Sequence, residues 1–212
     1  MKNDFFFERP LIYLITDGKT TAANFPQTLK FIEKAVVAKI SLIQIREKHL
    51  SAKLLFELVL QAAQITKNSN TKLLINDRAD IALAANADGV HLTANSLSTE
   101  IIRANFPTDF IIGVSTHSLE KAQKAQKNGA DFATFSPIFH SPNKGKPVGL
   151  SALRDVCKKL KPFPIIALGG IGAANYREVL QIADGFAAIR FLNEAKNLRR
   201  LNNEFSAKTK SS

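Results

Sequence analysis

Short apolar runs alternate with longer stretches of helical spacing along this chain. Leu11–Thr16, Leu42–Ile45, Leu73–Ile75, Gly89–Leu92, Phe110–Val114, Phe132–Phe135, Ile165–Leu168 and Phe186–Ile189 are brief and apolar, which predicts eight buried strands. Between them lie segments that read as helices. Pro26–Lys39 places Leu29, Ile32 and Val36 on one face. Ser51 precedes an amphipathic stretch and reads as its N-cap. Another helix begins near Asp77. Thr99–Asn105 is stopped by Pro107, and Leu119–Lys127 is closed by Gly129. Leu150–Leu160, Ala173–Ile182 and Glu194–Ser206 complete the set. Eight strand–helix alternations with no linker between them predict an α/β fold, a single-domain (β/α)8 TIM barrel. A doubly wound open sheet would carry a glycine-rich turn after its first strand, and Thr16-Asp17-Gly18 does not match one.

Composition narrows the picture. A chain of 212 residues with 45% hydrophobic content forms one globular core. The domain is expected to span 1–212, with 1–10 as an N-terminal lead and 207–212 as a frayed tail. Phe5-Phe6-Phe7 is too short for a signal segment and is expected to pack across one end of the domain. Lys and Arg exceed Asp and Glu by 29 to 18, a net charge of +11, which favours anionic partners. The basic residues are dispersed, however. The densest stretches, Lys158-Lys159-Leu160-Lys161 and Arg199-Arg200, read as solvated helix faces, so nucleic acid is not an expected partner. No apolar segment approaches the ~20 residues that span a bilayer. A lone cysteine, Cys157, excludes an internal disulfide framework. The expected setting is the cytoplasm, the expected partners are phosphorylated small molecules, and a homo-oligomer is left open.

Polar clusters follow several of the strands, where a barrel gathers its active site. Gln44, Arg46 and Lys48 alternate after the second strand and share a face. An Arg fork and a Lys point charge suit a di- or polyphosphate, and a strand end meeting solvent beside Glu47 is the other reading. Asn76-Asp77 follows the third strand. Asp77 can hold Mg²⁺ or cap the next helix, and the residues alone leave both open. Ser115 and His117 end the fifth strand, where His117 is either an acid/base group or a helix-start histidine without a chemical role. His91, inside an apolar strand, reads as a core residue or a support for the site. Ser141, Asn143 and Lys144 lie in a loop suited to an anion, or in an exposed basic loop. Gly169-Gly170-Ile171 after the seventh strand either holds a phosphate by backbone N–H groups or makes a tight turn.

Taken together, Ile43–Lys48, Leu74–Leu83, Ala87–Leu92, Gly113–Glu120, Gly129–Lys144 and Pro164–Ile171 resemble the thiamine phosphate synthase/TenI superfamily, from Leu11 to about Leu192. Its synthase branch joins a hydroxymethylpyrimidine pyrophosphate to a thiazole phosphate. The resemblance implies that Gln44, Arg46, Lys48, Asn76 and Lys144 bind the pyrimidine substrate and its pyrophosphate. It implies Asp77 as a Mg²⁺ ligand, Ser115 beside the reacting centre, and Gly169 and Gly170 at the thiazole phosphate.

Two positions depart from the synthase pattern. Leu92-Thr93-Ala94-Asn95-Ser96 puts a serine where a second Mg²⁺ carboxylate stands in synthases. Ile189-Arg190-Phe191 replaces a small segment whose serine helps hold phosphate, so Arg190 either strengthens that grip or fills the pocket. The first departure is similar to the TenI branch, which includes a thiazole tautomerase that needs phosphate binding and an acid/base group but no metal cofactor. His117 matches the histidine proposed for that proton transfer. The leading expectation is therefore a TenI-like enzyme of thiazole phosphate. The alternatives are a Mg²⁺-dependent synthase and a non-catalytic barrel that binds thiazole or thiamine phosphate.

Overall fold

A computed structural model describes residues 10–142 and 144–209. Eight parallel strands close into a barrel in chain order, each followed by a helix. The strands are β1 (Leu11–Ile15), β2 (Leu42–Ile45), β3 (Lys72–Asn76), β4 (Gly89–Leu92), β5 (Ile111–Thr116), β6 (Phe132–Phe135), β7 (Ile165–Leu168) and β8 (Gly185–Ala188). The helices are α1 (Phe25–Val37), α2 (Ala52–Thr66), α3 (Ala79–Ala84), α4 (Thr99–Asn105), α5 (Leu119–Lys127), α6 (Gly149–Leu160), α7 (Tyr176–Leu180) and α8 (Ala195–Thr209). The expected (β/α)8 barrel is the fold. The lead with Phe5-Phe6-Phe7 falls outside the described residues.

Strand alternation divides the core into two layers. Leu11, Tyr13, Ile15, Leu42, Leu74, Ile111, Phe132, Ile166 and Ala187 fill the barrel interior. Their neighbours along each strand, such as Ile43, Ile75, Ile112 and Ile165, pack outward under the helices. Gly113 makes room inside: a Cβ there would sit 2.3 Å from the Phe132 ring, so this aromatic closes over bare backbone.

A repeated device seals the opposite, N-terminal end. Ser41 Oγ accepts from Ile12 N at 3.1 Å, Asp88 Oδ2 from Leu73 N at 2.8 Å, Asp131 Oδ2 from Ile112 N at 2.7 Å and Asp184 Oδ2 from Ile165 N at 2.8 Å. Each side chain precedes an even-numbered strand and satisfies the backbone of the odd-numbered strand before it. Among the described residues no helix is long and apolar enough to cross a membrane.

Local signals set the helix ends. Ser51, Ser98 and Ser118 each accept a backbone N–H three residues on, as N-caps do. Gly129, at φ +90, follows the C-cap of α5. The predicted helix 173–182 is shorter, because Asn175 closes a turn ahead of it. Its side chain accepts from Gly172 N and donates to the Gly170 carbonyl, so α7 starts only at Tyr176.

Candidate active site

Three groups of polar side chains gather at or below the carboxyl ends of the strands. The deepest joins four strands. Gln44 Nε2 donates to Tyr13 Oη at 2.9 Å, Tyr13 Oη lies 3.1 Å from His91 Nδ1, and His91 Nε2 lies 2.9 Å from Ser115 Oγ. Gln44, Tyr13 and His91 are buried, and Ser115 is partly exposed. Burial drives the His91 imidazole down to about 4, against the pull of Asp77 and with the help of Arg46. Burial also raises the Tyr13 phenol, with the Gln44 hydrogen bond opposing. Both groups are therefore neutral near pH 7. Phe132 packs edge-on against Tyr13, with centroids 5.6 Å apart.

Asp77 organises the second group. Its Oδ1 accepts from the hydroxyl of Ser96, from Thr93 Oγ1 at 2.8 Å and from Thr93 N at 3.2 Å. Its Oδ2 accepts from Asn76 Nδ2 at 2.7 Å and lies 3.9 Å from Lys48 Nζ. Partial burial pushes the carboxyl up, but the bonds from Ser96 and Thr93, the Lys48 charge and the Asn76 amide outweigh it and hold it below its ordinary value. Asp77 has φ +60, and Arg78 N bonds back to the Asn76 carbonyl at 2.8 Å. That is a strained γ-turn. The capping role left open for Asp77 is not taken: α3 starts at Ala79 with Arg78 at its N-cap and no side-chain cap bond.

As a Mg²⁺ holder this group is poor. Mg²⁺ takes near-octahedral oxygen ligands and is usually held by one or two carboxylates plus substrate phosphates. Here there is one carboxylate, both of its oxygens are engaged by donors, and a hydroxyl stands at position 96. Among the described residues no three His, Cys, Asp or Glu side chains cluster as a metal site.

The third group is His117 with Ser136. His117 lies one residue past β5, at the carboxyl end of that strand. Its Nδ1 lies 2.8 Å from the Ser136 carbonyl, which only accepts, so Nδ1 carries the proton. Ser136 Oγ lies 3.3 Å from the same nitrogen. The ring is exposed, and in its neutral form Nε2 is the acceptor nitrogen.

The other candidates are placed less tightly. Arg46 is partly buried and is tied at its backbone, where its N–H donates to Thr16 Oγ1 at 2.8 Å. Ser141 is partly exposed and Lys144 exposed, in the loop after β6, where Lys144 N bonds the Ser141 carbonyl at 3.2 Å. Asn143 lies outside the described residues. Arg190 is exposed just past β8. Gly169 and Gly170 have φ of +101 and +67, and a Cβ on either would strike the β6–α6 loop, at Pro137 Cα (2.7 Å) and the His140 carbonyl (2.5 Å) respectively. These glycines let two mouth loops pack together, a demand for glycine that phosphate binding does not by itself explain.

Tyr13 and Thr93 were not singled out from sequence. Tyr13 shares strand parity with the interior face, the only signal that marks it. Glu47 does not fit the other reading of that cluster, a strand end meeting solvent. It is buried, its Oε2 accepts from Thr20 N at 3.0 Å, and its Oε1 has no hydrogen-bond partner among the described residues.

Residues 12–192 match the family described as thiamine monophosphate synthase. A thiamine-phosphate synthase of Clostridium acetobutylicum is 35% identical over 89% of each chain. One of Alkaliphilus oremlandii is 32% identical over 94% of this chain and 95% of that one. The solved structure of a thiamine phosphate pyrophosphorylase from Pyrococcus furiosus superposes with a TM-score of 0.78 at 30% identity, covering 92% of this chain and 96% of the other. Barrel order, mouth residues and relatives of near-equal length lead to one conclusion: the chain belongs to the thiamine monophosphate synthase (TMP-TENI) family of thiamine-biosynthesis enzymes.

Proposed function

We propose that this enzyme isomerises a carboxylated thiazole phosphate, with His117 moving the proton. The observation that carries this reading is the His117 geometry. The Ser136 carbonyl fixes a proton on Nδ1, so Nε2 is the nitrogen that can act as a base in the neutral ring. Nε2 takes a proton from the non-aromatic ring and returns it at the other end of the conjugated system. No atom or electron is gained or lost, and the product ring is aromatic. The imidazolium formed between the two transfers is stabilised by its bond to the Ser136 carbonyl. Ser115 Oγ lies two residues earlier, near the end of β5, where it can donate to the substrate carboxylate or ring. Gly169, Gly170, Ser141, Lys144 and Arg190 are assigned to the phosphate, with Asn143 in the same loop. Gln44, Arg46, Lys48 and Asn76 are assigned to the carboxylated end and its surroundings.

The assay follows the aromatic thiazole product by its absorbance. His117→Ala is expected to lower kcat by about a hundredfold or more and to leave thiazole phosphate affinity within about twofold. An unchanged rate removes His117 from the chemistry and the reading with it.

A second reading is favoured by a separate observation, the naming of relatives of near-equal length as thiamine-phosphate synthases. In it the barrel couples a hydroxymethylpyrimidine pyrophosphate to the thiazole phosphate, and the Gln44, Arg46 and Lys48 face takes the pyrophosphate. Mixing both substrates with Mg²⁺ and oxidising any thiamine phosphate to its fluorescent product separates the two. Formation at enzymatic rates that stops with EDTA selects the synthase.

A further inference from the structure

The chain Gln44–Tyr13–His91–Ser115 has a direction that can be read link by link. An amide nitrogen only donates, so Gln44 Nε2 gives a hydrogen to Tyr13 Oη at 2.9 Å. The phenol's own hydrogen then points to His91 Nδ1 at 3.1 Å. A neutral imidazole that accepts at Nδ1 carries its proton at Nε2, and Nε2 donates to Ser115 Oγ at 2.9 Å. The serine oxygen is thus already an acceptor. Its one hydrogen is turned away from His91 and is available to a partner elsewhere.

The surroundings hold this arrangement still. Tyr13 and His91 are 0% and 2% exposed, and Phe132 contacts both rings with centroids 5.6 and 6.0 Å away. Phe132 in turn closes over Gly113. A polar chain in an apolar barrel interior is costly unless each member is satisfied. An all-apolar layer would fill the same space, and burying this one leads to a single exposed end, at Ser115. Charged groups near the chain are Asp77, which favours protonated His91, and Arg46, which opposes it.

We propose that Tyr13 and His91 are positioning residues that fix the Ser115 hydroxyl as a hydrogen-bond donor toward substrate bound at the barrel mouth. The inference rests on the mouth being the reaction site, as in the reading above, but not on which of the two reactions occurs there.

Two measurements test it on the intact enzyme. In ¹⁵N-histidine-labelled protein, with the His91 signal assigned by its loss in His91→Gln, His91 should be the neutral Nε2–H tautomer from about pH 5 to pH 8. A dominant Nδ1–H tautomer overturns the proposal, because Ser115 would then be donating inward. The second is a double-mutant cycle on turnover. Tyr13→Phe should lower kcat about tenfold, with KM within about twofold, and should add no further loss in a Ser115→Ala background. Additive losses overturn the relay, since Tyr13 would then act by some route other than Ser115. Absence of turnover in either reaction would sink the functional reading, while the tautomer measurement would still decide the relay.

Discussion

Ser96 donates its hydroxyl to Asp77 across 19 residues of sequence, so that a neutral donor faces the carboxylate. Replacing it by a carboxylate reverses the chemistry of the pair. Ser96→Asp puts two negative charges together and is expected to cost about 1–3 kcal/mol without metal. The same variant should regain stability with Mg²⁺, by about 2.7 kcal/mol at a concentration a hundred times the dissociation constant. Thermal melts of both proteins with and without Mg²⁺ check this. A Mg²⁺ response as large in the wild type as in Ser96→Asp would mean that Asp77 holds the ion despite its hydroxyl partners.

Gly170 sits at φ +67 with the His140 carbonyl 2.5 Å from where a Cβ would be. Gly170→Ala therefore combines backbone strain with a clash against main chain, which cannot rotate away. The expected destabilisation is about 1–3 kcal/mol, with weaker phosphate binding because the β6–α6 loop must move. Gly172→Ala is the control, since its added methyl meets nothing within 4 Å. Urea unfolding and inorganic phosphate titration of the two variants should separate them. Equal stability would show that the loops are not held by that contact.

Much of this architecture is written in alternation. The eight strands were legible because Leu, Ile, Val and Phe recur in short runs, and Ser51 and Gly129 marked helix ends through local chemistry that needs no tertiary partner. The site was legible as far as residue type and position after a strand could take it. Tyr13 was hidden because it lies in the apolar run Leu11–Ile15 and its partners, Gln44 and His91, are 31 and 78 residues away. Asp77 was ambiguous because capping and metal binding ask for the same side chain, and only the positive φ and the donors Thr93 and Ser96 separate them. A solvent-facing strand end at Glu47 was the other reading of that cluster, because a charged residue after a strand usually meets water, whereas here Glu47 is buried and the β1–α1 loop supplies the Thr20 N–H.

The carboxylates at the N-terminal end of the barrel should matter for stability and not for turnover. Asp184 Oδ2 satisfies the Ile165 N–H at 2.8 Å, on the face opposite the mouth. Asp184→Ala removes an acceptor from a strand end and is expected to cost about 1–3 kcal/mol. Asp184→Asn keeps an oxygen in place and should cost less. Denaturant midpoints and kcat measured on the same preparations test both parts. A loss of kcat at full occupancy of the folded state would place Asp184 in the catalytic apparatus, contrary to its position.

Burial of His91 makes a pH prediction with a definite sign. The folded imidazole titrates at about 4, whereas a free histidine titrates near 6.5. Between those values the unfolded chain binds the proton and the native one does not. Stability therefore rises with pH across this window and falls as the pH is lowered through it. At full strength the effect is about 3 kcal/mol, one pKa unit being worth about 1.4 kcal/mol. Asp77, held below its ordinary value, adds a loss at still lower pH, once its own carboxylate protonates. His91→Gln keeps polar atoms in the site but cannot titrate, so its urea midpoint should be lower than wild type at pH 7 and flatter between about pH 6.5 and pH 4. If the two proteins lose stability in parallel over that interval, the acid sensitivity belongs to other groups and His91 is not the neutral core residue the geometry makes it.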